Sequence, residues 1–393
     1  MNRSASNDAV ALIAGALEVP YNRRGTGEST SQLLGRAVQQ LLRQAGVAAH
    51  EVDGLGVASF THRPDNAIDL AWRLGLTLTW CMDDRNGGAS AINMLQHAVR
   101  AIQHGDANVI VLVAGDTFTP EDFRTLVDHY NRTTEEYLKP LQHGGPNGVF
   151  AMLTQRHAQR TGLGREDYAQ LCIAQRAWAQ RNPLAVYREP LTLGQYLEAP
   201  MVADPLCRFD CVPVVNGANA ILLTRADLAR NTVNVAVRAV KALHNDDHQA
   251  GDGLQTPLAK IADTLWDRAN TGPEAMDLAC VYDDYPVMAL IQLADLGFVP
   301  DDDYRRVLRR IGRFELPVNT SGGQLSVGQA GAAGGMHGLV EAITQLLGDA
   351  GQRQVSDARL AVVTGYGMVQ YRYGMCANAV VLERWQGGVA WRS

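Results

Sequence analysis

Along this chain the apolar positions switch repeatedly between two periods. Val10-Ala-Leu-Ile-Ala-Gly15 is a short continuous apolar run of the kind a buried strand shows. Ser31 to Ala45 spaces its apolar residues as one face of a helix, with Gly46 in the position of a C-terminal cap. Val52 to Ala58 reads as a second strand. Gly87-Gly88 then opens a helix whose apolar positions are Ala91, Ile92, Leu95, Ala98, Val99 and Ile102; Gly105 ends it, and Val109 to Ala114 forms a buried strand. Arg165 to Pro183 reads as a helix stopped by Asn182-Pro183, and Tyr371 to Trp385 finishes with another buried strand.

The loop, helix and strand around Gly87 have a counterpart near the other end. Gly334-Gly335 precedes a helix through Leu347, a glycine-containing turn and the run Leu360-Ala-Val-Val-Thr-Gly365. Recurrence of the same unit in the same order predicts two similar halves, 1–230 with a loop insertion and 231–393, and alternating strands and helices predict an α/β fold.

With 393 residues the chain can bury a substantial core. At 46% hydrophobic and 19% charged residues it reads as soluble and globular, and a net charge of −6 argues against nucleic acid as the main partner. The longest apolar run, Val109 to Ala114, is too short to span a bilayer, and the polar first residues are not those of a signal peptide. Cysteines 81, 172, 207, 211, 280 and 376 are scattered, which suits a reducing cytoplasm. Cys207 and Cys211 lack a second pair or suitably spaced histidines, so they read as core thiols rather than zinc ligands.

The most unusual stretch is Asn319 to Gly338, with seven glycines in twenty residues leading into the helical pattern Leu339 to Gly348. Such a loop can bring backbone N–H groups to a ligand at a helix N-terminus, or simply let a helix approach a sheet closely. It lacks both the Walker and the dinucleotide-binding spacing. Asn319-x-x-Gly-Gly-x-Leu-Ser-x-Gly328, followed by Glu341-Ala-Ile-x-Gln-Leu-x-Gly348, resembles the C-terminal histidine loop of the thiolase superfamily, in its sterol-carrier-protein-2 thiolase branch. Arg176-x-x-Ala-x-x-Asn-Pro183, the stretch Pro205 to Ala220, Val281 to Pro286 and Ala294 to Phe298 are similar to the family too, so the resemblance covers almost the whole chain. Asn216 stands where the family usually has aspartate. The resemblance implies a duplicated αβαβα thiolase fold, a homodimer, an acyl-CoA substrate of lipid metabolism, and no metal or redox cofactor.

The chain departs from that pattern where the family does its chemistry. Anchoring the nucleophile motif on Gly88 and Ala91 puts Arg85 in the place of the cysteine. The family's His-Asp-x-Phe is Tyr282-Asp-Asp-Tyr285, and Gln329 replaces the loop histidine. Thiolysis through an acyl-enzyme is hard to assemble from these groups, because it needs an activated thiolate at a helix N-terminus. A retro-aldol cleavage needs a base and an oxyanion site. Tyr282 is the candidate donor or base, its acidity raised by Arg85, and Gln329 with backbone amides of the glycine loops is the candidate oxyanion site.

A branch of thiolase-like aldolases that split β-hydroxyacyl-CoA side chains is similar, with tyrosine at the position of Tyr282 and no catalytic cysteine. Its second tyrosine falls on Ala332-Ala333 here, leaving Tyr366 of the loop Thr364 to Gln370 as the alternative. Further candidates are Cys81 as a substitute nucleophile, His337 near the start of the loop helix, and Asn319, Ser321, Gly322, Gly323, Gly367 and His143 for substrate binding.

The leading expectation is therefore an acyl-CoA enzyme that makes or breaks a carbon–carbon bond without the usual cysteine, with aldol or retro-aldol chemistry favoured. The alternatives are a C-acyltransferase of acetyl-CoA acetyltransferase type using Cys81, and a non-catalytic thiolase-like subunit. Members of the branch often pair with a small zinc-ribbon and OB-fold protein, which could complete the site.

Overall fold

The strand patterns of the first 116 residues supply four of the five strands in one half of a large sheet. The computed structural model describes residues 10–25, 27–141, 145–246, 250–370 and 373–386. The chain opens with β1 (Ala11–Asn22), α1 (Thr30–Ala45), β2 (Gly54–Ala58), α2 (Ala67–Leu74), β3 (Trp80–Asp83), α3 (Ser90–His104) and β4 (Val109–Asp116). An excursion follows, made of α4 (Pro120–Asp128), α5 (Pro146–Thr161), α6 (Arg165–Ala179), α7 (Leu193–Leu197) and a ribbon of β5 (Met201–Ala203) and β6 (Leu206–Cys207). After β7 (Asn216–Arg225) come β8 (Val233–His244), α8 (Leu258–Ala269), β9 (Leu278–Cys280), α9 (Pro286–Asp295) and α10 (Tyr304–Gly312). The chain ends with α11 (Gly323–Val327), α12 (Gly334–Leu347), β10 (Leu360–Gln370) and β11 (Tyr373–Gln386).

Nine strands form one mixed sheet in the order β3-β2-β4-β7-β1-β8-β11-β10-β9. Neighbours β2/β3, β2/β4 and β9/β10 run parallel and the other pairs antiparallel. The two half-sheets meet at a narrow seam, where β1 pairs with β8 only through Leu12 with Ala236 and Ile13 with Val235. On one outer face α1 covers β1, β4 and β7, and on the other α8 covers β8 and β11. Between the half-sheets lie α3 and α12, packed on each other. This is the layered αβαβα arrangement of the thiolase fold.

Helix α12 is buried nearly all round because both its faces are covered, whereas α3 keeps a polar edge at His97, Arg100 and Gln103. Ile92, Leu95, Leu339 and Ile343 are fully buried in the same cluster, each contributing about 1.5–3 kcal/mol of apolar burial. The outer helix α1 is instead amphipathic, and a Ser29–Gln32 capping box satisfies its first turn. Gly46, Gly105 and Gly348 cap their helices in the left-handed conformation. Strand β1 runs well past its apolar stretch, to Asn22, because β7 pairs with it as far as Asn216. No described helix is long and apolar enough to cross a membrane.

Candidate active site

Four segments from the C-terminal ends of strands and the starts of central helices converge on one cavity of about 500 Å³. Gly87 and Gly88 bring the approach to α3, Tyr282 to Tyr285 the link from β9 to α9, Gln329 the loop before α12, and Tyr366 and Gly367 the strand β10. The excursion supplies the opposite wall, including Phe118, Phe123, Tyr130 and Phe150. The lining is therefore mainly aromatic and apolar.

Tyr282 is fixed from both sides of its backbone. Its N–H donates to Thr364 Oγ1 at 3.0 Å, its carbonyl accepts from Gln292 Nε2 at 2.7 Å, and Thr364 Oγ1 donates to Gln292 Oε1 at 2.6 Å. At the other end of the side chain, Gln329 Nε2 donates to the Tyr282 hydroxyl oxygen at 2.9 Å and to Gln324 Oε1 at 3.2 Å. The phenolic proton is thus left to face the cavity. Burial, with Asp284, Tyr130 and Asp283 adding negative potential, pushes the Tyr282 pKa well above its ordinary value. At neutral pH the Tyr282 hydroxyl therefore keeps its proton.

Gly88 makes room for that ring. A Cβ on Gly88 would lie 2.3 Å from Tyr282 Cε2 and 2.2 Å from the Tyr366 carbonyl oxygen. Among the described residues no thiol lines the cavity at Gly87-Gly88, although Cys376 Sγ lies 3.7 Å from Asn86 Oδ1 just before them.

The two aspartates after Tyr282 have different surroundings. Asp283 accepts from Gln175 Nε2 at 2.9 Å and from the Gln324 N–H at 3.0 Å, and burial holds its carboxyl up to about 6. Gly323, at φ +63°, is needed beside it, since a Cβ there would lie 2.0 Å from Asp283 Oδ2. Asp284 lines the cavity, is 8% exposed, and its Oδ1 has no hydrogen-bond partner. Burial and the neighbouring Asp283 push its carboxyl up to about 8. Tyr285 donates to Asn147 Oδ1 at 2.7 Å and stacks on Phe150 at 4.3 Å.

Of the residues singled out in the sequence, Tyr282, Gln329, Tyr366 and Gly367 come together at this cavity. The Tyr366 hydroxyl is fully buried and accepts from the Gly374 N–H. Others do not join them. Arg85 is exposed outside the lining and has no part in the acidity of Tyr282, which is raised rather than lowered. Cys81 is exposed on the edge strand β3, where partial desolvation and Asp83 hold its thiol above the ordinary value, so it is neither at a helix N-terminus nor activated.

His337 points away from the cavity. Its Nε2 meets Ser321 Oγ at 2.7 Å and its Nδ1 lies 2.9 Å from Glu18 Oε2. Burial lowers its pKa but Glu18 outweighs that, leaving it raised. Asn319, Ser321, Gly322 and Gly323 also lie outside the cavity lining. Asn319 Oδ1 accepts from the Val281 N–H at 2.8 Å, and Ser321 Oγ accepts from the Gly323 N–H at 3.2 Å, so this loop is internal scaffolding for Asp283. His143 lies outside the described residues.

Two groups at the cavity escaped the sequence reading. Asp284 is one, and Tyr282-Asp-Asp-Tyr285 directly after a buried strand was its available signal. Cys211 is the other: it lines the wall rather than sitting in the core, and burial with Asp210 beside it pushes its thiol up to about 12. Among the described residues no cluster of three or more His, Cys, Asp or Glu side chains is arranged to hold a metal ion.

The chain is similar to known proteins along most of its length. The family model "Thiolase C-terminal domain-like" matches residues 239–383. The chain is 29% identical over 387 residues to the 17-hydroxy-3-oxo-4-pregnene-20-carboxyl-CoA lyase of Mycobacterium tuberculosis, across 92% of this chain and 97% of that protein. It is 25% identical over 380 residues to the steroid side-chain-cleaving aldolase of Thermomonospora curvata, across 91% and 95%. Among solved structures, the "Ltp2-ChsH2(DUF35) aldolase" shares the fold with a TM-score of 0.82 at 23% identity, over 96% of this chain and 99% of that one.

Proposed function

The chain belongs to the thiolase superfamily, and on that premise we propose that it cleaves a β-hydroxyacyl-CoA by a retro-aldol reaction. The observation that carries this reading is the pairing of Tyr282 with Gln329 at a cavity whose helix N-terminus offers Gly87-Gly88 in place of a thiol. In the reaction a base removes the β-hydroxyl proton and the Cα–Cβ bond breaks. Its electron pair passes to Cα and the thioester oxygen, releasing a carbonyl compound and the enolate of a shortened acyl-CoA, which takes a proton at Cα. Tyr282 donates its free O–H to the thioester oxygen as charge grows there; such a preorganised donor is worth about 10²–10³ in rate.

The aromatic lining suits a bulky apolar group on the β-carbon. Steroid side chains are the substrates named for the aldolase relative, and a polycyclic or branched acyl chain is the class assigned here. The solved relative's title sets a DUF35 protein beside an aldolase, and a partner of that kind is assigned to this chain. A second copy is assigned to the free edge of β3, where Trp72 and Ile68 of the adjoining α2 are exposed by 80% and 61%. The six cysteines are unpaired, in keeping with a reducing cytoplasm.

The test is incubation with β-hydroxyacyl-CoA thioesters carrying a tertiary hydroxyl, with and without a DUF35 partner, followed by mass spectrometry of small molecules and intact protein. A ketone and a shortened acyl-CoA in equal amounts, with unchanged protein mass, is the expected result. A stoichiometric acyl adduct on the protein during turnover would replace this reading by acyl transfer.

A further inference from the structure

Retro-aldol cleavage needs an acceptor for the β-hydroxyl proton, and most polar groups around the cavity are already committed. Tyr282 keeps its proton and is aligned as a donor. Asp283 has both carboxylate oxygens engaged, with Gln175 and Gln324. The Tyr285 hydroxyl donates to Asn147, and the Tyr366 hydroxyl accepts from Gly374. Tyr130 and Cys211 are both pushed up to about 12, chiefly by burial. Gln329 is an amide and carries no proton-accepting base.

Asp284 remains. It is the only carboxyl side chain among the described residues that line the cavity; backbone N–H groups of Asp284 and Tyr285 approach its carboxylate, while its Oδ1, itself buried, has no hydrogen-bond partner. A carboxyl in an apolar wall with an unengaged oxygen is costly to folding unless something else uses it.

We propose that Asp284 is the general base of the reaction, taking the β-hydroxyl proton as the Cα–Cβ bond breaks. The inference rests on the retro-aldol reading above and adds the group that reading lacks. The resulting carboxylic acid then protonates Cα of the enolate, which restores the carboxylate and balances the proton count over one turnover. Burial supports the assignment, since it brings the carboxyl to about 8, near the range in which a general base works best. The titratable or charged groups around it are Asp283, Tyr282 and Tyr285 from its own segment, Tyr130 and Arg124 from the α4 region, and Cys211 ahead of β7.

The experiment compares wild type, Asp284→Asn and Asp284→Glu as full-length protein, reading acyl-CoA binding, single-turnover cleavage and the pH profile of cleavage. The expected result for Asp284→Asn is binding within about threefold of wild type and cleavage slowed by about 10²–10⁴. The wild-type rate is expected to rise near pH 8, and the Asp284→Asn profile to lack that rise. Asp284→Glu should recover part of the rate and the rise, which a purely structural role would not produce. An Asp284→Asn protein that cleaves at the wild-type rate with the wild-type pH profile overturns the role of Asp284 while leaving the retro-aldol reading standing. A wild type that cleaves no β-hydroxyacyl-CoA, alone or with its partner, overturns both.

Discussion

Gln329 Nε2 donates to the Tyr282 hydroxyl oxygen at 2.9 Å, joining the loop before α12 to the segment after β9. Where a thiolase would place two histidines, an amide and a phenol thus form a single unit. Gln329 holds the phenol oxygen and leaves its proton to the substrate.

Tyr282→Phe should therefore slow cleavage by about 10²–10³ with acyl-CoA affinity nearly unchanged, the signature of a donor used chiefly in the transition state. Gln329→Ala should give a smaller loss, about tenfold, because the phenol remains but is no longer aimed. Single-turnover rates on both variants and the double variant check this, and fully additive losses would show that the two residues do not act together.

Gly88 is the second constraint on Tyr282. Gly88→Ala places a methyl group 2.3 Å from the phenol ring, and the facing Tyr366 carbonyl oxygen leaves it no other direction to move. The expected cost is about 1–3 kcal/mol of stability, with loss of cleavage. Denaturant unfolding measures the first. In a Tyr282→Leu background the same Gly88→Ala change should cost clearly less, and an equal cost would mean that the ring is not what the methyl meets.

Much of the fold can be read from local pattern, because its signals are local. Gly46, Gly105 and Gly348 each follow an apolar helical stripe, and each caps its helix in the left-handed conformation. The repeated glycine pair, helix and strand become α3 with β4 and α12 with β10. What counting residues misses is the path of a turn. Arg85 was anchored by its spacing from Gly88, but the Asn86 N–H donates to Asp84 Oδ1 at 2.8 Å, and the tight turn leaves Arg85 at its exposed corner. His337 fails for another reason: α12 is buried on both faces, so apolar periodicity cannot say which face meets the cavity, and His337 and Glu341 turn away from it. Asp284 reads as a surface charge until the excursion folds over it from more than a hundred residues away in sequence.

Cys81, the substitute nucleophile the sequence offered, and Cys211, the thiol in the cavity wall, are two tests of a covalent acyl route. Cys81→Ala should leave cleavage within about twofold of wild type, because the side chain is on the edge strand away from the cavity. Cys211→Ser should bind substrate less tightly through the wall it forms, yet leave no missing acyl adduct, since its thiol is held protonated at neutral pH. Intact-protein mass after exposure to an acyl-CoA decides the matter: an added acyl group that disappears in either variant would restore a covalent route.

Asp284 also makes a prediction that needs no substrate. Its folded carboxyl is held up to about 8, against about 4 in an unfolded chain. The folded protein therefore keeps a proton that the unfolded chain has released. The stability from that proton is fully present below about pH 4 and is lost as pH rises through about 8. Asp283 and Asp295, held up to about 6 and about 7 by burial, act in the same direction and remain in an Asp284 variant. Wild type should thus lose stability from pH 4 to about pH 8, whereas Asp284→Asn should lose it less steeply from the start, diverging from wild type above about pH 4 and levelling off near pH 7. At pH 9 the variant should be the more stable by on the order of 1–3 kcal/mol, a case of an active-site group held at the expense of the fold. Urea unfolding across this range tests it. Parallel profiles for the two proteins would mean that Asp284 is ionised at neutral pH and that the cavity stabilises its charge.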